Sequence, residues 1–203
     1  MDFTLEGADP RFRYLKERLE ADGHRITPNS ANIIAPPAER RGLPYFRDPI
    51  YVLENAALTA EGAAELLMRR CDRSLRGMNV LVTGYGRIGQ RLADTLSVLG
   101  AHVTVAARRA IDRTAARLRG YESVDINHLE GVYDAVLNTI PAPVLRGDFG
   151  GALCIDLASA PGGWSDRTPI LKAPGLPGLY APKAAADILA EAIYRLMEVD
   201  TIG

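Results

Sequence analysis

The sequence predicts an α/β fold, a doubly wound parallel sheet preceded by a shorter α/β lobe. Three observations carry that expectation. Residues 79–109, NVLVTGYGRIGQRLADTLSVLGAHVTVAARR, read as strand, glycine turn, helix and strand. Beyond them, short apolar runs alternate with helical periodicity, the pattern of parallel strands joined by crossovers. Before them, the same alternation recurs in shorter pieces punctuated by proline. With 203 residues, 47% hydrophobic and 24% charged, the composition is that of an ordinary globular chain.

Taken in order, Phe3-Thr4-Leu5 is a short strand. Pro10 opens a helix to about Asp22, with Phe12, Leu15 and Leu19 on one face and Gly23 as its stop. Ala31 to Ala35 is a strand ended by Pro36-Pro37, residues 40–44 are loop, and Ile50 to Leu53 suggest another short strand. Thr59 is the expected N-cap of a helix running to about Asp72, with Glu61 complementing its dipole. Asn79–Thr83 is a strand; Ile88, Leu92, Leu96 and Leu99 follow at helical spacing up to Gly100; His102–Ala106 is the next strand. A helix at Ile111–Arg119 precedes strands near Glu122–Val124, Ala135–Asn138, Ala152–Asp156 and Ile170–Ala173. The last element is a helix from Pro182 to about Glu198. The division expected is an N-terminal α/β lobe (1–55), a connecting helix (56–76), a Rossmann-type nucleotide domain (77–182) and a C-terminal helix (183–203).

Gly84, Tyr85, Gly86, Arg87, Ile88 and Gly89 form a G-x-G-x-x-G turn in the context that its mechanism requires. Gly84 suits a tight turn, Gly86 lets backbone approach a diphosphate, and Gly89 lets helix and strand pack closely. The helix that follows aims unpaired N–H groups at the phosphates. An NAD-preferring site usually ends its second strand with a carboxylate. Here the strand ends Ala106-Ala107-Arg108-Arg109, and guanidinium forks suit a 2′-phosphate. NADP(H) is therefore the expected cofactor, through Arg108 first and Arg109 second, with NAD(H) the alternative. At later strand ends, Thr139, Ile140 and Pro141, then Ser159, then Pro174 and Gly175, are expected to line the cofactor cleft.

Net charge of −1 gives no global case for nucleic acid or membrane partners. No apolar run approaches the about 18 residues of a membrane span, and MDFTLEGADPRF is unlike a signal peptide, so the cytoplasm is the expected compartment. Cys71 and Cys154 match no metal or redox spacing, and no metal site is expected.

Several segments together resemble the family of the A subunit of dipicolinate synthase. They are NTIPA (138–142), DLASAPGG (156–163) and APGLPGLYAPKAAADILA (173–190), placed after GYGRIG, with TAEGA (59–63) ahead of them. The resemblance runs from about Asp48 to Met197. It implies a Rossmann-type subunit that oxidises dihydrodipicolinate to dipicolinate with NADP, in sporulating bacteria and beside a flavoprotein-like B subunit. The family's N-terminal lobe is larger; residues 8–11 and 33–36 resemble pieces of it, so the lobe here is a reduced one.

Removing a hydride and a proton from such a ring needs orientation, cations for two carboxylates and at most a weak base. Lys183, at a helix start beside the Gly/Pro loop, is the first candidate for the catalytic site; Arg47 and Arg87 are weaker. His24, His102 and His128 have no acidic or nucleophilic companion in the pattern. Two other readings stay open: another amino-acid or hydroxy-acid dehydrogenase, and a non-catalytic nucleotide-binding subunit. The apolar face of the last helix (Ile188, Leu189, Ile193, Leu196) suits packing either within the chain or against a twin, and a homo-oligomer is expected.

Overall fold

The computed structural model describes residues 1–39 and 41–201; the expectations on residue 40 and on 202–203 lie outside them. The chain forms two compact units, Met1–Leu58 together with the chain from Pro177 onward, and Thr59–Leu176.

In the first unit, strands β1 (Asp2–Leu5), β2 (Arg25–Ile26) and β3 (Ile33–Ile34) form a parallel sheet in the order β2-β1-β3. Helix α1 (Phe12–Ala21) buries Phe12, Leu15 and Leu19, as the i, i+3, i+7 spacing requires. They pack with Phe3, Ile34, Tyr45 and Tyr51, and with Leu189, Ala190 and Ile193 of the C-terminal helix α6 (Pro182–Thr201). Alanines on the facing helix let the backbones approach, Arg18 ties the pair through Glu191 at 3.0 Å, and the Tyr194 hydroxyl donates to Asp22 Oδ2 at 2.6 Å.

One expectation fails here. The strand at 50–53 and the separate helix from Thr59 are a single helix, α2 (Pro49–Arg70), with Thr59 buried in its interior rather than capping it. The physical start is Asp48, whose Oδ1 accepts the Tyr51 N–H at 2.7 Å while Pro49 fills the first helical position, where its missing N–H costs nothing. The β-branched and aromatic residues at 50–53 suggested strand, but helical packing of Tyr51, Ala56, Ala60, Ala63 and Leu67 outweighs that local preference.

The second unit is a six-stranded parallel sheet. Its strands are β4 (Asn79–Thr83), β5 (His102–Ala107), β6 (Glu122–Asp125), β7 (Ala135–Asn138), β8 (Leu153–Asp156) and β9 (Leu171–Lys172), in the order β6-β5-β4-β7-β8-β9. This is the strand order of a doubly wound sheet, reversing direction between β4 and β7. One face carries Val80, Val82, Val105, Leu137 and Ile155, covered by Leu67 of α2, Leu92 and Leu96 of α3 (Arg87–Val98) and Ala116 of α4 (Ala110–Leu118). The other face differs from the full pattern, because the connections after β6, β7 and β8 form no α-helix. Loop residues Ile126, Leu145 and Trp164 cover Leu81, Ala106, Val136 and Cys154 there instead. Four short elements are unforeseen by the sequence: β2, helix α5 (Leu176–Tyr180) and the 3-10 helices Pro37–Glu39 and Tyr45–Arg47.

Candidate functional site

The cleft with the glycine turn lies beyond the carboxyl ends of the second unit's strands. Gly84 leaves β4 with φ +92, and a Cβ on it would lie 2.5 Å from Thr139 Oγ1. A Cβ on Gly89 would lie 2.2 Å from the Gly84 carbonyl oxygen, so α3 sits directly against the turn only because Gly89 has no side chain. Gly86 is the N-cap of α3, with φ −78 and ψ −167; no side chain caps the helix, and its first turn holds no acid. A Cβ at Gly86 would meet nothing within 4 Å. The helix therefore presents the positive end of its dipole, with backbone amides, to open space. Gln90 Nε2 donates to the Tyr85 carbonyl at 3.1 Å and steadies the turn.

The open space is a cavity of about 490 Å³ spanning the ends of β4 to β7. Gly84, Tyr85, Gly86, Arg87, Ile88, Arg108, Arg109, Thr139, Ile140 and Pro141 line it. Gly89 supports the turn from behind. The sequence reading missed Ala107, Asp112, Ile126, Asn127, Ala142 and Val144 on its walls. Tyr85 lines the turn, yet it is buried in the same apolar core as Val80, Leu92 and Ala116; burial raises the pKa of its hydroxyl, which has no hydrogen-bond partner among the described residues.

The two arginines after β5 are not equivalent. Arg109 forms a fork on Asp112, Nε to Oδ2 at 2.7 Å and Nη2 to Oδ1 at 2.5 Å, and hydrogen bonding to that carboxylate raises the guanidinium pKa further. The i, i+3 spacing on a helix start was the signal for this pair. The Arg108 guanidinium has no such partner among the described residues. Its backbone is fixed by Arg113, whose Nη1 donates to the carbonyls of Ala107 at 2.8 Å and Arg108 at 2.7 Å while pairing with Asp125 at 2.9 Å. The Asn127 backbone N–H, and Arg113 after it, hold the Asp125 pKa below its ordinary value.

A buried polar chain links the ends of β4, β7 and β8. Thr83 Oγ1 donates to Asn138 Oδ1 at 2.7 Å, and Asn138 Nδ2 donates to Asp156 Oδ1 at 2.8 Å. Thr83 and Asn138 are fully buried and Asp156 is 3% exposed. Asn138 also holds the following loop, accepting from Ile140 N at 3.0 Å and donating to its carbonyl at 2.9 Å. Asp156 accepts from Gly163 N at 2.9 Å and Ala158 N at 3.1 Å. Thr139 N and Oγ1 both donate to the Thr83 carbonyl, at 2.9 and 2.8 Å. Hydrogen-bonded groups at this depth make a rigid floor for the strand-end loops.

The remaining predicted residues separate. Pro174 lines a second cavity of about 160 Å³ with Asp156, Ala158, Pro161, Gly162 and Lys172. Ser159 is exposed in the same loop, its carbonyl accepting from Gly162 N at 3.0 Å, and Gly175 is exposed beyond Pro174; neither lines a described cavity. Lys183 is exposed in the first turn of α6 and belongs to the other unit, as does Arg47, which lies 5.9 Å from the Phe46 ring. Lys172, the last residue of β9, was not foreseen. Among the described residues no acidic, histidine or cysteine cluster could hold a metal, and no helix is long and apolar enough to cross a membrane.

These features agree with the relatives of the chain. Residues 55–144 match the family model of the D-isomer specific 2-hydroxyacid dehydrogenase NAD-binding domain, so a nicotinamide cofactor suits the larger cavity. The A subunit of dipicolinate synthase from Bacillus subtilis (strain 168) is 33% identical over 178 residues, 81% of this chain and 60% of that protein. The crystal structure of the Bacillus subtilis protein superposes with a TM-score of 0.72 at 27% identity, covering 99% of this chain and 66% of the other. The A subunit of dipicolinate synthase from Bacillus halodurans gives 0.79 at 22% identity, covering 96% and 97%. Transhydrogenase from Sinorhizobium meliloti shares the fold at 0.70 and 14% identity, covering 98% and 93%.

Proposed function

We propose that the chain, similar over 81% of its length to the A subunit of dipicolinate synthase and over residues 55–144 to a dehydrogenase NAD-binding domain, is an NADP(H)-dependent oxidoreductase subunit that converts dihydrodipicolinate to dipicolinate. The chain spans 60% of the curated relative's length, so substrate and partner are assigned here as a reading of the site. The single observation that carries it is the larger cavity at the sheet's reversal point, walled by an uncapped helix start and an unpaired arginine.

In this reading the amides of the 84–89 turn hold the diphosphate, and Arg108 holds the 2′-phosphate that a carboxylate would repel. The loop 139–141, pinned by Thr83 and Asn138, flanks the nicotinamide end. The cofactor supplies a ring that accepts hydride. The substrate loses that hydride from one ring carbon and a proton from its neighbour, leaving the aromatic pyridine. Aromatisation drives the step, so orientation and water exclusion matter more than a strong base. Lys183 is the candidate for a substrate carboxylate; Ser159, Pro174 and Gly175 are candidates for contact with the cofactor. We assign the activity to the cytoplasm of sporulating cells, with self-association of the chain and a flavoprotein-like B subunit.

Thermal stability and nicotinamide fluorescence measured with NADP(H) and NAD(H) test the cofactor assignment, and tighter binding of NAD(H) would overturn it. Dipicolinate formation from dihydrodipicolinate and NADP, with and without a B subunit, tests the reaction. Bound cofactor without turnover in either condition would favour a non-catalytic nucleotide-binding role, and turnover of hydroxy acids instead would move the chain to that class of substrate.

A further inference from the structure

Helix α4, which lies over β5 and the edge strand β6, is amphipathic the wrong way round. Its inward side carries Ala116, fully buried, between Asp112 and Arg113, which are half-buried and spent on Arg109 and Asp125. Its outward side carries Ile111, Ala115 and Leu118, at the i, i+4, i+7 spacing that makes one stripe. Ile111 is 68% exposed and Leu118 84%. A helix lying on a sheet ordinarily turns such a stripe inward, so this one lacks the surface that would cover it. The stripe runs about 10 Å, two helical turns. None of its three residues lines the cofactor cavity, so its exposure does not belong to that site.

The borders of the stripe are basic. Arg119 follows Leu118 and pairs with Asp94 of α3 at 2.7 Å. On the other border Arg117 is held by two neutral groups, Nη2 donating to Thr114 Oγ1 at 2.9 Å and Nη1 to Ser123 Oγ at 3.1 Å. Among the described residues no carboxylate answers it. The helix thus offers two apolar anchors beside a positioned guanidinium whose charge is in excess. Isologous stacking of two copies would bring like charges together in one small interface. Holding a protein on a membrane needs more apolar surface than two side chains supply. A protein segment with an apolar ridge and carboxylates along it satisfies both features at once.

We propose that the solvent face of α4 is a docking surface for another protein, whose contact segment is an acidic amphipathic helix. Ile111 and Leu118 are the apolar anchors, and Arg117 is the residue that selects carboxylates. The surface lies within the second unit and stands whether or not the cavity holds NADP(H).

The test uses the full chain as wild type, Leu118→Asp, Arg117→Glu and Val132→Asp. The probe is a synthetic helical peptide carrying fluorescein, with leucine at i, i+4 and i+7 and glutamate on both borders. A second peptide has the same composition with its leucines scattered round the helix. Fluorescence anisotropy reads binding. The wild type should bind the first peptide saturably and the second about tenfold or more weakly. Leu118→Asp and Arg117→Glu should each lose about tenfold or more. Val132→Asp, at a loop valine that is 88% exposed, should bind like wild type. All four proteins should melt within about 2 °C of one another, because the replaced side chains are exposed. No binding of the first peptide by wild type, or wild-type binding by Leu118→Asp or Arg117→Glu, overturns the proposal. Leu118-dependent binding to vesicles of phosphatidylserine and phosphatidylcholine without peptide binding also overturns it and makes the occupant a membrane. A Leu118-dependent dimer in sedimentation overturns it in favour of a second copy.

Discussion

Two alanine substitutions three residues apart should separate the stability of the glycine turn from its chemistry. In Gly89→Ala the new Cβ would lie 2.2 Å from the Gly84 carbonyl oxygen and 2.9 Å from its carbon, both backbone atoms. Restoring ordinary contact moves the start of α3 by about 1 Å away from β4. Overpacking of this kind costs about 1–3 kcal/mol, which lowers the melting temperature by about 2–12 °C in a chain of this size. A displacement of about 1 Å at a positioned group can cost about 100-fold in affinity or rate. In Gly86→Ala, by contrast, φ is −78 and the Cβ enters open space, so the empty protein should melt within about 2 °C of wild type. That same methyl stands where the diphosphate must approach, and NADPH affinity should fall about tenfold or more. Differential scanning fluorimetry without ligand, paired with NADPH titration by fluorescence, reads both effects. A Gly86→Ala protein that binds NADPH like wild type would refute the seating of a diphosphate on this turn.

Asp112→Asn should release Arg109 from its carboxylate fork and tighten NADP(H) severalfold while leaving NAD(H) unchanged, read by the same titration. Asp156→Ala leaves the Gly163 and Ala158 amides without their acceptor, at about 1–3 kcal/mol for each buried donor; a denaturant midpoint unchanged from wild type would show that the polar chain does not stabilise the strand ends. Asp48 has its pKa lowered from 3.8, chiefly by hydrogen bonding to Arg195. Its contribution is present in full above the unfolded value and is lost as pH falls through the folded one. Stability measured from pH 5 downward should therefore decline less steeply in Asp48→Asn, which keeps the helix cap but not the charge pair; parallel curves for the two proteins would contradict this.

The strands and helices of the second unit could be read from the sequence because each carries its signal within a few residues. Gly84, Gly86 and Gly89 act through backbone geometry that follows from spacing alone. The start of α2 was also written locally, in Asp48-Pro49, but Thr59 and the β-branched run ahead of it offered a competing reading that only burial decides. The cofactor cavity could be anticipated at Thr139 to Pro141 because strand ends in a parallel sheet converge. What could not be anticipated depends on side-chain geometry. Asp112 stands i, i+3 from Arg109 and i, i+4 from Arg108, so spacing marks a pair here, but only side-chain geometry decides that Arg109 is the one held. The pairing of Lys172 with Asp156 across β8 and β9 needs the register, which a two-residue edge strand does not announce.

Trp164 closes the face of the sheet that no helix of the second unit covers. It is the chain's one tryptophan, 8% exposed, with its indole N–H donating to the Gly147 carbonyl at 3.0 Å and its ring edge-on to Phe149 at 6.4 Å. Leu145, whose N–H donates to the Gly163 carbonyl, bridges to it and stands one residue past Val144 on the cofactor cavity wall. The molecule thus carries a built-in chromophore at the site's edge. Its ultraviolet emission overlaps the absorption of a reduced nicotinamide, so occupancy and unfolding of this half of the chain can be followed by energy transfer with no label attached.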